Sequence, residues 1–281
     1  MRYALSLPNG GVCGDPRVLA EMAQTAEAAG WDAVLLEDYI QYQGKDVPTC
    51  DPWIALTAIA VRTQRLRIGT AVTPVPRRRP WYLAQQVATL DRLSGGRVIL
   101  GVGAGDPRDP TYRALSEETD IRKRAAMLDE GLIIIDRLWS GNAVDFTGQH
   151  YRVDGLRLSL TPLQRPRVPI WVGGLWPRRT TIERAARWDG ALLGFKVGPG
   201  NGEVDMTPAD VELLVQDIAR RRPVDSYDIV MGGRARESNE SAERQWIREM
   251  AGAGATWWCE WVPPGQEGEM RQAAQRGPLR I

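Results

Sequence analysis

The residues of this sequence that could carry chemistry are few, and they sit at the ends of apolar runs. Glu37-Asp38-Tyr39 follows Trp31-Asp32-Ala33-Val34-Leu35-Leu36, and Glu260-Trp261 follows Trp257-Trp258-Cys259. A carboxyl buried among indoles tends to hold its proton and can act as an acid, which makes Glu260 a candidate. A satisfied structural carboxylate is the plain alternative. Tyr39 can donate a proton if its phenol is made more acidic, or can simply pack on a ligand. Arg77-Arg78-Arg79 offers guanidinium forks that match carboxylates and phosphates, although a solvated loop is the ordinary reading of such a run. Glycines recur at the same kind of position, in Gly101-Val102-Gly103-Ala104-Gly105, in Gly173-Gly174 before Leu175, and in Gly232-Gly233. They allow a backbone to approach a flat ligand or turn N–H groups towards a phosphate. The first of these is not a dinucleotide fingerprint, because Asp106 stands where its third glycine would fall.

Composition removes other chemistries. Histidine occurs 1 time, at His150, so multi-histidine metal centres are excluded, no metal site is expected, and a histidine triad would rest on that residue alone. Its neighbours read as an exposed hairpin. The 3 cysteines, Cys13, Cys50 and Cys259, are odd in number and far apart, as expected of reduced thiols in a cytoplasmic protein. Basic residues total 36 against 35 acidic ones, which argues against coating nucleic acid. No run reaches the ~18 apolar residues of a membrane span. The chain enters an apparent strand at Tyr3 with no basic-then-apolar leader, so neither membrane nor export is expected.

These residues are positioned by a repeated phrase of helix, glycine and short apolar strand. Residues 15–29 carry Val18, Leu19, Met22, Ala23 and Ala26 at helical spacing, then Gly30, then the strand ending at Leu36. Residues 80–93, 180–188 and 243–253 repeat it, leading into strands at 98–102, 191–193 and 256–259. Further strands are expected at 66–72, 169–172 and 229–231, and helices at 52–61, 121–139 and 208–222. Such continuous apolar runs suit parallel strands buried on both faces. The alternation permits an open doubly wound sheet or a closed barrel. About eight units in a chain near the usual ~250 residues favour a (β/α)8 TIM barrel in one domain, 1–281. A small β-hairpin insertion at 142–160 precedes strand five. In such a barrel the site lies where strands end and βα loops begin.

Leu66-Arg67-Ile68-Gly69-Thr70-Ala71-Val72-Thr73-Pro74 with Arg79-Pro80, and Leu90-Asp91-Arg92-Leu93-Ser94-Gly95-Gly96-Arg97 leading into Gly101, resemble the luciferase-like flavin oxidoreductases and monooxygenases. Pro169-Ile170-Trp171-Val172-Gly173-Gly174, with Ala185-Ala186-Arg187-Trp188-Asp189-Gly190 after it, is similar to the same family. The resemblance spans about residues 3–193. It implies a barrel binding coenzyme F420 (a deazaflavin, slightly preferred) or FMN, acting as a dehydrogenase or reductase in the first case and a monooxygenase in the second. It also implies a small-molecule substrate and a homodimer. By the same resemblance, a bulge with a non-proline cis peptide at Ala71-Val72, near Thr73, backs the ring, and Gly103 and Gly105 pass close to it. Gly173, Gly174 and Leu175 would present N–H groups to the cofactor phosphate beside the start of the next helix. Asp38 would bind the cofactor and join Glu260 in catalysis. Several relatives have Asp-His where this chain has Asp38-Tyr39, which puts a histidine-based alcohol mechanism in doubt. A non-catalytic flavin-binding barrel and an unrelated metal-dependent or aldolase-like barrel are the rival readings.

Overall fold

The computed structural model describes residues 1–281, the side chain of Asn201 excepted. Its strands are β1 (Arg2–Leu7), β2 (Ala33–Leu36), β3 (Arg67–Thr70), β4 (Thr73–Pro74), β5 (Val98–Gly103), β6 (Val144–Thr147), β7 (Arg152–Leu156), β8 (Ile170–Trp176), β9 (Gly190–Val197), β10 (Glu203–Asp205), β11 (Asp228–Arg234) and β12 (Trp257–Trp261). Its helices are α1 (Pro16–Ala28), α2 (Pro52–Arg62), α3 (Pro80–Leu93), α4 (Thr111–Ala114), α5 (Ile121–Trp139), α6 (Arg179–Ala185), α7 (Pro208–Ala219), α8 (Glu240–Gly252) and α9 (Glu267–Gln275).

Strands β1, β2, β3, β5, β8, β9, β11 and β12 pair in that order, all parallel, and β12 pairs back to β1, closing the ring. The barrel expected from the sequence is therefore the fold. Helix starts were marked locally. Asp15 and Asp51 cap α1 and α2 by accepting backbone N–H groups, each with proline at the first helical position. The hairpin β6–β7 stands before the fifth barrel strand, as expected. Three features differ from expectation. The third strand stops at Thr70 and resumes as β4. The fifth runs past Val172 to Trp176, so Gly173 and Gly174 lie in strand rather than loop. The closing helix α9, whose polar sequence hides its short apolar stripe, was not anticipated. Among the described residues no helix is long and apolar enough to cross a membrane.

Alternation along the strands divides the interior in two. Ala4, Ala33, Leu35, Ile99, Trp171, Val230, Trp257 and Cys259 fill the ring, while the larger apolar cluster lies between strands and helices. The base is closed by two indoles on one carboxylate. Asp228 accepts from Trp257 Nε1 at 3.0 Å and from Trp171 Nε1 at 3.1 Å, and the rings meet edge-on with centroids 5.1 Å apart. Arg2 pairs with the same carboxylate at 2.5 Å and lies over the Trp257 ring.

Asp228→Ala should cost about 2–5 kcal/mol, because it orphans two buried indole N–H groups and a guanidinium. Asp228→Asn should cost less. Urea denaturation checks both, and equal losses would contradict the clamp. A second expectation concerns pH. Glu27 accepts the backbone N–H groups of Gln64, Arg65 and Leu66, tying α1 to the turn before β3. Burial opposes its ionisation, but those N–H groups outweigh it and hold the pKa below the usual glutamate value. Such a group stabilises above its unfolded pKa, and that stability is lost as pH falls through the lower folded value. Glu27→Gln should therefore lower Tm at neutral pH and converge with the wild type in acid.

Candidate active site

The mouth of the barrel is built on the interruption between β3 and β4. The Ala71–Val72 peptide there is cis. Val72 then wedges its two methyl groups between neighbouring strands. A Cβ on Gly103 would lie 2.8 Å from Val72 Cγ2, and one on Gly173 would lie 2.8 Å from Val72 Cγ1. Both positions need glycine for Val72 to pack against them, which leaves an apolar surface of Val72 and glycine backbone. Gly105, at φ +85°, turns its missing side chain towards the Tyr112 hydroxyl, where any Cβ would collide. Gly174 is exposed, drops out of register where β8 and β9 are bulged, and would place a Cβ 2.5 Å from Thr181 at the start of α6.

Behind that wall lies a network of charge. Thr73 donates its hydroxyl to Asp38 Oδ2 at 2.9 Å, and Arg78 grips the same carboxylate at 3.0 Å. Arg77 donates to the Asp38 carbonyl at 2.8 Å, to Asp109 at 2.8 Å and to Thr111 at 3.0 Å, with its guanidinium over the Tyr112 ring. The arginine run is thus neither a solvated loop nor a free clamp, since its first two members are bound within the protein. Asn9, fully buried, donates to the Tyr39 and Cys50 carbonyls and accepts from the Tyr39 N–H, locking the first two loops together.

The two catalytic candidates fall differently from expectation. Asp38 is buried at the mouth, but its carboxylate is already engaged, so it fixes the Thr73 bulge. Glu260 faces away from the barrel interior. Trp257 and Cys259 point inward, so the residue between Cys259 and Trp261 points to the helices. There it accepts from Arg236 at 2.8 Å and Arg276 at 2.5 Å and serves as a structural carboxylate. Trp176, at the end of β8, is buried in the outer core. His150 is remote, in a hairpin turn whose N–H groups are held by Glu130. Among the described residues no group of three potential metal ligands occurs.

One residue was overlooked. Glu37 continues the inward series Ala33, Leu35, and its Oε2 is buried with no hydrogen-bond partner. Burial raises its pKa, against which the neighbouring Tyr42 hydroxyl and Trp261 indole pull only partly. Counting by twos from Ala33 would have found it. Tyr39 stands beside it, edge-on to Tyr42 with centroids 5.3 Å apart. Burial, then the charges of Glu37, Asp106 and Asp109, push its phenol up, so it keeps its proton. The three thiols are free. Burial raises Cys13 and Cys259 to about 12 and Cys50 to about 11, which leaves none as a thiolate nucleophile.

A closed parallel barrel with a plugged base, and with its strand ends gathered around the Val72 surface, defines a TIM barrel. The chain belongs to the luciferase-like monooxygenase family, whose model matches residues 4–254. It is 36% identical over 171 residues to an F420-dependent glucose-6-phosphate dehydrogenase of Nakamurella multipartita, a match covering 59% of this chain and 49% of that protein. The chain thus spans about half the length of the curated relatives it matches. The fold is shared with the coenzyme F420-dependent tetrahydromethanopterin reductase of Methanopyrus kandleri, at TM-score 0.75, 17% identity and 98% of both chains. It is shared too with the monooxygenase RslO1 of Streptomyces bottropensis, at TM-score 0.78 and 19% identity, covering 98% of this chain and 97% of that one.

Asp38→Ala should destabilise the protein by roughly 2–4 kcal/mol, because it strips a mostly buried guanidinium of its main partner and frees Thr73. Thermal melts of Asp38→Ala and Thr73→Val decide this. A loss confined to the first would contradict a shared bulge network.

Proposed function

We propose that this protein is a deazaflavin-dependent oxidoreductase, moving a hydride between coenzyme F420 and a small carbonyl or alcohol substrate at the barrel mouth. The observation that carries the reading is the wall made by Val72 between Gly103 and Gly173. It is an apolar surface that a Cβ at either glycine would break, and it suits one face of a tricyclic ring. Family membership supports it, and the F420-dependent relatives favour the deazaflavin over FMN.

In this reading Ala71, Val72 and Thr73 back the ring, and Gly103 and Gly105 let the fourth loop run close beside it. Gly173, Gly174 and Leu175 turn backbone N–H groups to the phosphate, with Gly174 left open to solvent by the bulge in β8. Asp38 acts at one remove, holding Thr73 and Arg78 in place. Glu260 has no part in the reaction. When bound, the deazaflavin supplies two-electron hydride chemistry, and the protein supplies binding, orientation and exclusion of water.

Equilibrium binding, followed by cofactor fluorescence, tests the reading. Wild-type protein should bind coenzyme F420 more tightly than FMN. Gly174→Val should weaken F420 binding at least about tenfold, equal to ~1.4 kcal/mol, with a smaller effect on Tm. Preference for FMN would overturn the cofactor, an unchanged dissociation constant in the variant would overturn the phosphate placement, and binding of neither would overturn the proposal. Tight binding without hydride exchange on any substrate would instead support a non-catalytic carrier.

A further inference from the structure

At its mouth the barrel interior ends in two polar atoms that make no hydrogen bond of standard geometry, although the Trp261 indole lies close enough to the Glu37 carboxyl to favour its ionised form. One is Glu37 Oε2, at the inward end of β2, and the other is Trp261 Nε1, at the inward end of β12. Both atoms are buried, although each residue as a whole is only half-buried and open to the mouth. Native proteins rarely leave such atoms unpaired unless a ligand or water completes them. Asp38, next in sequence, is neutralised by Arg78, whereas Glu37 has no ion-pair partner among the described residues.

We propose that Glu37 is the proton donor of the reaction, protonating the oxygen of a carbonyl substrate as its carbon is reduced, with the Trp261 N–H as a second donor to that oxygen. The inference rests on the deazaflavin reading above. The carbonyl carbon gains a hydride carrying both electrons from the reduced deazaflavin. The π pair of the C=O bond takes the Glu37 proton to form the new O–H bond. An alcohol leaves, and the Glu37 carboxylate recovers a proton from water.

The surroundings favour the acid form of Glu37. Facing it are Cys13 from the turn after β1, Tyr39 and Tyr42 from the loop after β2, and Cys259 and Trp261 from β12. Burial raises both thiols and both phenols, so all stay neutral at physiological pH and none offers a counter-charge. Ionised, Glu37 would be an unpaired charge in a poorly solvated recess. This supplies the acid that Tyr39, too weakly acidic, and the absent histidine do not.

The first test is a 13C NMR titration of glutamate carboxyls in the cofactor-free protein, with Glu37→Gln giving the assignment. The Glu37 carboxyl should titrate well above the other glutamates. The variant should melt no lower than the wild type, because a carboxyl held only for structure would lower Tm when removed. The second test follows oxidation of reduced coenzyme F420 with cyclohexanone and 6-phosphogluconolactone as carbonyl probes. The wild-type rate should be full below the Glu37 pKa and fall as pH rises through it. Glu37→Gln should lower kcat on the order of 10²-fold and abolish that limb, with cofactor affinity unchanged. An ordinary glutamate titration, or a variant that keeps the rate and the limb, overturns the Glu37 assignment alone. Cofactor binding with no turnover of either probe overturns the carbonyl assignment. Failure to bind cofactor at all overturns the underlying reading as well.

Discussion

Closure of the ring imposes a strict two-way choice on every strand residue. A side chain enters the barrel or lies beneath the helices, and the neighbour takes the other side. That constraint decides which groups can meet a reactant. It sends Glu37 inward and leaves Asp38 to brace the bulge from behind. It turns Cys259 into the ring and Glu260 out to Arg236 and Arg276. Asp38 and Glu260, the two carboxylates that look promising along the chain, are both kept from the interior because each sits one residue from an inward position.

The fold was readable because its signals are local. The caps at Asp15 and Asp51, the prolines that follow them, the glycine after several of the helices and the short apolar strands all act within a few residues. About eight strand–helix units leave few ways to close. The bulge at Ala71–Val72 came from resemblance, and the structure shows what the motif accomplishes there. The site was less readable because its roles depend on neighbours distant in sequence. Nothing near Arg77 announces that Asp109 and Thr111 will bind it, and nothing near Gly103 announces that Val72 will fill its missing side chain. Glu37 was accessible by counting alternate residues from Ala33, but its adjacency to Asp38 and Tyr39 drew attention away from it.

The mouth combines a rigid surround with an unfinished centre. Arginines 77 and 78, Asp38, Asp109 and Thr73 saturate one another, and Asn9 ties the first loop to the second, so that four loops are locked together. Such buried pairs add little net stability, yet breaking one is costly, so they hold a single geometry. Inside that frame Glu37 and Trp261 keep unmet hydrogen-bonding capacity. A fully satisfied rim around an unsatisfied floor is the arrangement expected of a preorganised site, where reorganisation is settled during folding rather than during reaction.

The indole plug on Asp228 has a further consequence for traffic. With the far end sealed, the interior is a cul-de-sac, and anything that arrives must depart through the same opening. A flat molecule resting against the Val72 wall narrows that doorway for whatever comes second. Exchange is then sequential by geometry: the later arrival must withdraw before the earlier one can go.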